Sequence, residues 1–264
     1  MKILIVSGFL GAGKTTFIKR LARNVDQRFA ILENEYGAAG IDGARLGQNR
    51  QGTQKNVWEM TEQCICCIGK KDFAASVLTI ANVVDPEYLI VEPTGVGSLA
   101  RIIENLRQIE YERIQLLSPV TIVDVYSYRR YMAEYPELYQ DQIRSADTII
   151  VSKTEACQAE EKQRIQKFLQ EINPQAKIIT DYASTMTRED YQSLLLGGRY
   201  EKEVQDTQSG EKMPETFSFE NIRMEAPETL WCFLEQIIRG AFGNIIRAKG
   251  QFAAGDQFLQ FDVA

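Results

Sequence analysis

A chain of 264 residues with 44% apolar and 25% charged side chains has room for one large domain, or for a domain of ordinary size with a small companion. It holds no apolar run long enough to cross a bilayer, and its formal net charge of −6 gives no general pull toward nucleic acid. Membrane-spanning and nucleic-acid-binding roles are therefore not expected. Histidine is absent, so catalysis has to rely on carboxylates, water and positioned cations. Of the five cysteines, Cys64, Cys66 and Cys67 fall within four residues, which suits a reduced compartment and a metal better than a disulfide framework.

Lys2 to Val6 reads as a buried β-branched strand, and Lys14 to Asn24 as a helix with Phe17, Ile18 and Leu21 on one face. Between them Gly8-Phe9-Leu10-Gly11-Ala12-Gly13-Lys14-Thr15 matches the Walker A pattern in the strand-loop-helix context that gives it meaning. The glycines let successive backbone N–H groups turn inward around a β-phosphate, and the helix dipole adds positive potential there. Gly8, Gly11, Ala12 and Gly13 line the loop; Lys14 bridges the β- and γ-phosphates, Thr15 offers its hydroxyl to Mg²⁺, and Thr16 reaches the α-phosphate. The lysine and apolar run at the start also fit a short leader peptide, but glycines interrupt the run and Lys14 would be lost with it, so a cytoplasmic protein is expected.

Phe29 to Leu32 is the next strand, followed after the cysteine cluster by a helix from Asp72 to Val84. In an extended chain Cys64 and Cys66 share a face and Cys67 points away, so convergence on one ion needs a turn. Three thiolates suit Zn²⁺ or Cu(I), with a fourth position open to a carboxylate, water or a partner's ligand. A redox switch and buried structural cysteines are the competing readings.

Tyr88 to Val91 is a strand ending in Glu92, with Gly95 three residues on. This fits a Walker B strand and switch glycine, Glu92 holding Mg²⁺ directly or through water and Gly95 offering its N–H to the γ-phosphate. A helix spans Leu99 to Gln108, and strands follow at Val120 to Val123 and Thr148 to Val151. After the last comes Ser152-Lys153-Thr154-Glu155, where an Asn-Lys-x-Asp base-reading motif would stand. A carboxylate there accepts two N–H bonds from guanine that adenine cannot supply. Ser152, Lys153 and Glu155 are the candidates, and Glu155 carries one extra methylene.

A helix from Ala159 to Ile172 and a strand from Lys177 to Ile179 complete an α/β, doubly wound, mostly parallel P-loop NTPase sheet over residues 1–200. Every motif begins at a strand's carboxyl end, where ligands gather in such sheets. Residues 201–214 are polar and read as a linker, and 215–264 as a small α+β domain. Its expected elements are a strand near Thr216 to Arg223, a helix from Pro227 to Arg239, and strands at Asn244 to Lys249 and Gln257 to Val263.

Taken together, the chain resembles the CobW-type GTPases, relatives of the UreG and HypB nickel-insertion proteins. The likeness rests on Ser7 to Thr16, Glu33-Asn34-Glu35-Tyr36-Gly37 with Ile41-Asp42, Cys64 to Cys67, Glu92 to Gly95, and Arg247-Ala248-Lys249-Gly250. It implies a metallochaperone in which GTP binding and hydrolysis reshape a Cys-x-Cys-Cys site to deliver an ion to a client metalloenzyme. It also implies a first switch from Glu33 to Asp42, with Asn34, Glu35 and Asp42 near the γ-phosphate and the metal. The expected ligands are GTP or GDP, Mg²⁺ and Zn²⁺ or another thiophilic ion, and a homodimer is compatible with the resemblance. The chain departs from the family at Glu155, in a C-terminal domain shorter than is common, and in lacking a histidine-rich stretch. An ATP-dependent small-molecule kinase and a non-catalytic metal or redox sensor are the alternative functions.

Overall fold

The computed structural model describes residues 1–27, 29–35, 59–63, 70–204, 226–254 and 257–263, with 217, 219 and 222. β1 (Lys2–Gly8), β2 (Phe29–Glu35), β3 (Glu59–Gln63), β4 (Tyr88–Glu92), β5 (Gln115–Leu116), β6 (Val120–Asp124), β7 (Thr148–Ser152) and β8 (Lys177–Ile179) form one sheet. Its order is β3-β2-β4-β1-β6-β7-β8, with the short β5 also on β1, and every recorded pairing is parallel. β5 and β6 share one side of β1, pairing with its start and its end respectively. Pro119, which has no N–H to give a ladder, stands immediately before β6.

Side chains alternate across β1, so both faces must be covered. Ile3 and Ile5 pack with Phe73, Val77 and Ile80 of α2 (Lys70–Val83) and Leu99, Ile103 and Leu106 of α3 (Leu99–Arg107). Leu4 and Val6 pack on the opposite face with Phe17, Ile18 and Leu21 of α1 (Lys14–Asn24). This is the doubly wound sheet expected, with α1, α2, α3 and the helix now labelled α6 (Ala159–Ile172) close to their predicted spans.

Further elements had no counterpart in the sequence reading. They are β3, β5, α4 (Tyr128–Glu134), α5 (Pro136–Arg144), α7 (Tyr182–Thr185) and α8 (Arg188–Leu196). β3 is Glu-Met-Thr-Glu-Gln, without the apolar pattern of a buried strand, and is held by its parallel pairing to β2. α4 and α5 abut at Tyr135 and Pro136, the proline taking the first turn of α5 where its missing N–H costs nothing.

The chain beyond α8 stays on the α/β body at least to Val204, which packs against the α2–α3 core. Tyr200 is 3% exposed, its N–H donates to Leu116 O at 2.9 Å and its hydroxyl to Ser145 O at 2.9 Å. Burial pushes its phenol up to about 12, against the opposing Arg107 guanidinium that lies over its ring. Tyr200→Phe is expected to cost about 1 to 2 kcal/mol by stranding the Ser145 carbonyl, and Tyr200→Ala about 3 to 5 kcal/mol. Urea unfolding at neutral pH measures both.

In the C-terminal part α9 (Pro227–Ile238) buries Leu230, Leu234 and Ile237 against Leu259, Phe261 and Val263 of a hairpin. The hairpin pairs β9 (Ala248–Ala254) with β10 (Gln257–Val263), antiparallel. The expected strand from Asn244 to Lys249 is corrected, because pairing begins at Ala248 opposite Val263. Ile246 is instead buried in the cluster that contains Phe9, Tyr131 and Tyr139 of the α/β body. The strand expected near Thr216 lies largely outside the described residues; Phe217, Phe219 and Ile222, which are described, are exposed and carry no regular structure.

Candidate nucleotide site

Because β4, β1, β6 and β7 are adjacent and parallel, Glu92, Gly8, Asp124 and Ser152 all arrive at one edge of the sheet. That edge is where open α/β sheets place their ligands. β1 ends at Gly8 with φ 142°, and a Cβ there would sit 2.4 Å from the Ile122 carbonyl oxygen, so only glycine turns the chain out of the strand at this point. The loop closes with Ala12 N–H donating to Phe9 O at 3.2 Å and enters α1 through Gly13, φ 96°. No acidic residue occupies the first turn of α1, leaving its positive dipole end uncountered by side chains of its own. Lys14 is 7% exposed and its Nζ donates back to the Gly8 and Phe9 carbonyls at 3.0 and 3.4 Å. Thr16, expected at the α-phosphate, is exposed at the same helix start.

Thr15 Oγ1 donates to both carboxylate oxygens of Glu92, at 3.0 and 3.2 Å. A hydroxyl and a carboxylate so close are the hard oxygen donors that Mg²⁺ takes alongside phosphate and water. Glu33, 3% exposed, pairs in register with Glu92, bringing a second carboxylate to the same level of the sheet. Gly95 packs on the phosphate loop so tightly that a Cβ would lie 2.4 Å from Leu10 N and 2.8 Å from Leu10 Cα.

At the other end of the site Ser152 donates to Ala12 O at 2.6 Å, tying the base-motif strand to the phosphate loop. Lys153 is left-handed, φ 60°, and its Nζ meets the buried Asp124 carboxylate at 2.7 Å. Asp124 also accepts from Tyr126 N–H and the Ser127 hydroxyl, both at 2.8 Å. Glu155 is exposed beyond them, near Tyr182. Asp181 closes the neighbouring loop, its carboxyl held below the usual range by hydrogen bonds from Lys162 and Thr154.

Two helices that sequence reasoning missed brace the phosphate side. From α4 the Tyr131 hydroxyl donates to Leu10 O at 3.2 Å, and its ring lies 4.2 Å from that of Phe9. From α5 the Asp141 carboxylate accepts the Leu99 N–H at 2.7 Å, capping α3, and Gln142 reaches the loop that holds Gly95. Asp124 could have been found by the same strand-end rule as Glu92. Nothing local marks Tyr131, Asp141 or Gln142, whose partners are distant in sequence.

Asn34 and Glu35 lie at the end of β2, in register with Glu62 and Gln63 of β3. Asp42, Cys64, Cys66 and Cys67 lie outside the described residues. Among the described residues no group of three or more metal-ligating side chains occurs, and no helix is long and apolar enough to cross a membrane.

A phosphate loop between a parallel strand and its helix, facing an acidic strand end and the closely packed Gly95, defines a P-loop nucleotide-binding protein. Residues 2–180 match the nucleotide-binding domain of the CobW/HypB/UreG family, and the chain belongs to that family. The zinc chaperone YeiR of Escherichia coli is 30% identical over 178 residues, 66% of this chain and 53% of that one. The zinc chaperone CobW of Pseudomonas aeruginosa is 27% identical over 194 residues, 62% of this chain and 52% of its own. The chain thus spans about half the length of these curated relatives. The Zn(II)-bound YjiA GTPase from E. coli shares the fold, with TM-score 0.56 and 19% identity over 100% of this chain and 86% of that structure.

Proposed function

We propose that the chain binds and hydrolyses GTP and couples its nucleotide state to a metal site at Cys64, Cys66 and Cys67, passing a thiophilic ion to a client protein. The observation that carries the hydrolytic half is the contact of Thr15 with Glu92 beside Gly95 and Lys14. In this reading Lys14 leaves the Gly8 and Phe9 carbonyls for the β- and γ-phosphates, and the Gly95 N–H meets the γ-phosphate. Thr15 and Glu92 would hold Mg²⁺, which supplies neutralisation of charge on the phosphates.

Guanine preference is supported by Lys153, whose stem is steadied by Asp124 for stacking on a base, and by Glu155 as acceptor. The printed names of the relatives, zinc chaperones, support zinc as the cargo. Three thiolates within four residues suit that ion, and Asn34, Glu35 and Asp42 stand on the segment between the phosphates and those cysteines.

Calorimetry with GTP, GDP and ATP on metal-free and Zn²⁺-loaded protein tests both halves. GTP and GDP are expected to bind with ATP about 100-fold weaker, since adenine leaves the Glu155 carboxylate without its paired donors. A non-hydrolysable GTP analogue is expected to change Zn²⁺ affinity by the factor by which Zn²⁺ changes analogue affinity. Equal binding of ATP would turn the reading toward a kinase, and unchanged Zn²⁺ affinity would separate the metal from the switch.

A further inference from the structure

We infer that Gln142 is a positioning residue for hydrolysis, holding the loop after Glu92 against the phosphate loop; this rests on the hydrolytic reading above. Gln142 is 1% exposed on α5, and its Nε2 donates to two carbonyls of that loop, Gly95 O at 3.1 Å and Gly97 O at 3.0 Å. Between those carbonyls the loop makes a tight turn, closed by Gly97 N–H on Thr94 O at 3.0 Å. The other end of Gln142 is anchored as well, because the Thr121 hydroxyl of β6 donates to its backbone carbonyl at 2.9 Å. One residue thus links the strand flanking the phosphate loop to the turn that carries Gly95.

The orphaned half of the amide argues that this link is what the residue is for. Its Oε1 is buried without a hydrogen-bond partner among the described residues, a cost that methionine, of similar volume, would not carry. What the glutamine gains here is therefore on the donor side, and both donors go to the turn that carries Gly95. The adjacent Asp141 caps α3 at Leu99, so α5 grips the loop at both of its ends. The phosphate loop is held separately, by Tyr131 on Leu10 O. Loss of Gln142 should therefore free the switch turn while leaving the diphosphate cradle in place.

The test compares wild type with Gln142→Met and Gln142→Glu. In Gln142→Met the amides of the segment from Gly95 to Leu99 are expected to exchange hydrogen at least about tenfold faster. GDP affinity and the KM for GTP should stay within about threefold while kcat falls about 10- to 100-fold, the pattern of an interaction used only in the transition state. Gln142→Glu adds a pH signature. A buried carboxyl titrates above its ordinary range, so its protonated form can still donate one bond while its ionised form repels both carbonyls. Its kcat relative to wild type should rise about tenfold between pH about 8 and about 6. Unchanged exchange and unchanged kcat in Gln142→Met would overturn the inference, as would a Gln142→Glu ratio independent of pH. If wild type hydrolyses no nucleotide, the hydrolytic reading fails, and wild-type exchange rates in Gln142→Met then overturn the positioning role on their own.

Discussion

Gly95→Ala is expected to lower hydrolysis by about 100-fold or more, the scale of losing one oriented donor at a developing charge. The reason is contact between two backbones. An added Cβ would meet Leu10 N at 2.4 Å, and Leu10 Cα and the Phe9 carbonyl carbon at 2.8 Å, none of which can rotate away as a side-chain tip could. The loop that holds Gly95 and the phosphate loop must separate, and in the hydrolytic reading proposed above the Gly95 N–H would move off the γ-phosphate with them. Overpacking of this kind costs about 1 to 3 kcal/mol of stability as well, because Phe9, behind the loop, is wedged against Tyr131, Tyr135 and Tyr139. Gly198→Ala serves as the control. It has nothing within 4 Å of its added methyl, and its effect should stay within about 0.5 kcal/mol. Single-turnover hydrolysis and urea unfolding of the two variants measure the contrast, and equal activities would show that the approach of Gly95 to Leu10 plays no part in the reaction.

The same site shows what a sequence can and cannot reveal. Gly8 to Thr15, Glu92 and Ser152 to Glu155 were legible because each is a local pattern at the end of an apolar strand, and parallel strands bring such ends together. The carboxylate of Asp124 obeys that rule too, yet it became informative only when Lys153 was found on it at 2.7 Å. Tyr131 and Gln142 were illegible for a different reason. Tyr131 lies in Ser-Tyr-Arg-Arg-Tyr-Met-Ala-Glu-Tyr and Gln142 in Pro-Glu-Leu-Tyr-Gln-Asp-Gln-Ile-Arg, where tyrosines and polar residues blur the apolar periodicity that marks a helix. Their partners, Leu10 and Gly95, lie far back in the chain. β3 escaped because Glu-Met-Thr-Glu-Gln lacks the apolar pattern that marks a buried strand, and only its backbone pairing with β2 reveals it. Ile246 was read as part of a strand because isoleucine fits one, but it is buried in the cluster that includes Phe9 and Tyr131, and the ladder begins only at Ala248. In each case a tertiary partner outweighed a local preference, as it does when propensities differ by only tenths of a kcal/mol per residue.

Lys14→Ala should separate the stability of the protein from its response to nucleotide. Lys14 Nζ rests on the Gly8 and Phe9 carbonyls at 3.0 and 3.4 Å in a nearly buried position. Holding a cation there has a desolvation cost that offsets much of those bonds, so the unliganded variant should melt close to wild type. With GTP the balance reverses, since charged hydrogen bonds contribute about 1.5 to 3 kcal/mol each and two phosphates lose theirs, weakening affinity by about 100-fold or more. At a GTP concentration about 100 times the wild-type Kd, linkage stabilises wild type by about 2.7 kcal/mol and the variant by about 0.4 kcal/mol. For a chain of this size those figures correspond to shifts of about 5 to 10 °C and about 1 °C. Lys14→Met should repeat the loss of the shift while keeping the packing of the stem against the loop. A full thermal shift in either variant would mean that the lysine is not what grips the phosphates, and the loop's backbone N–H groups with the α1 dipole would have to carry the binding alone.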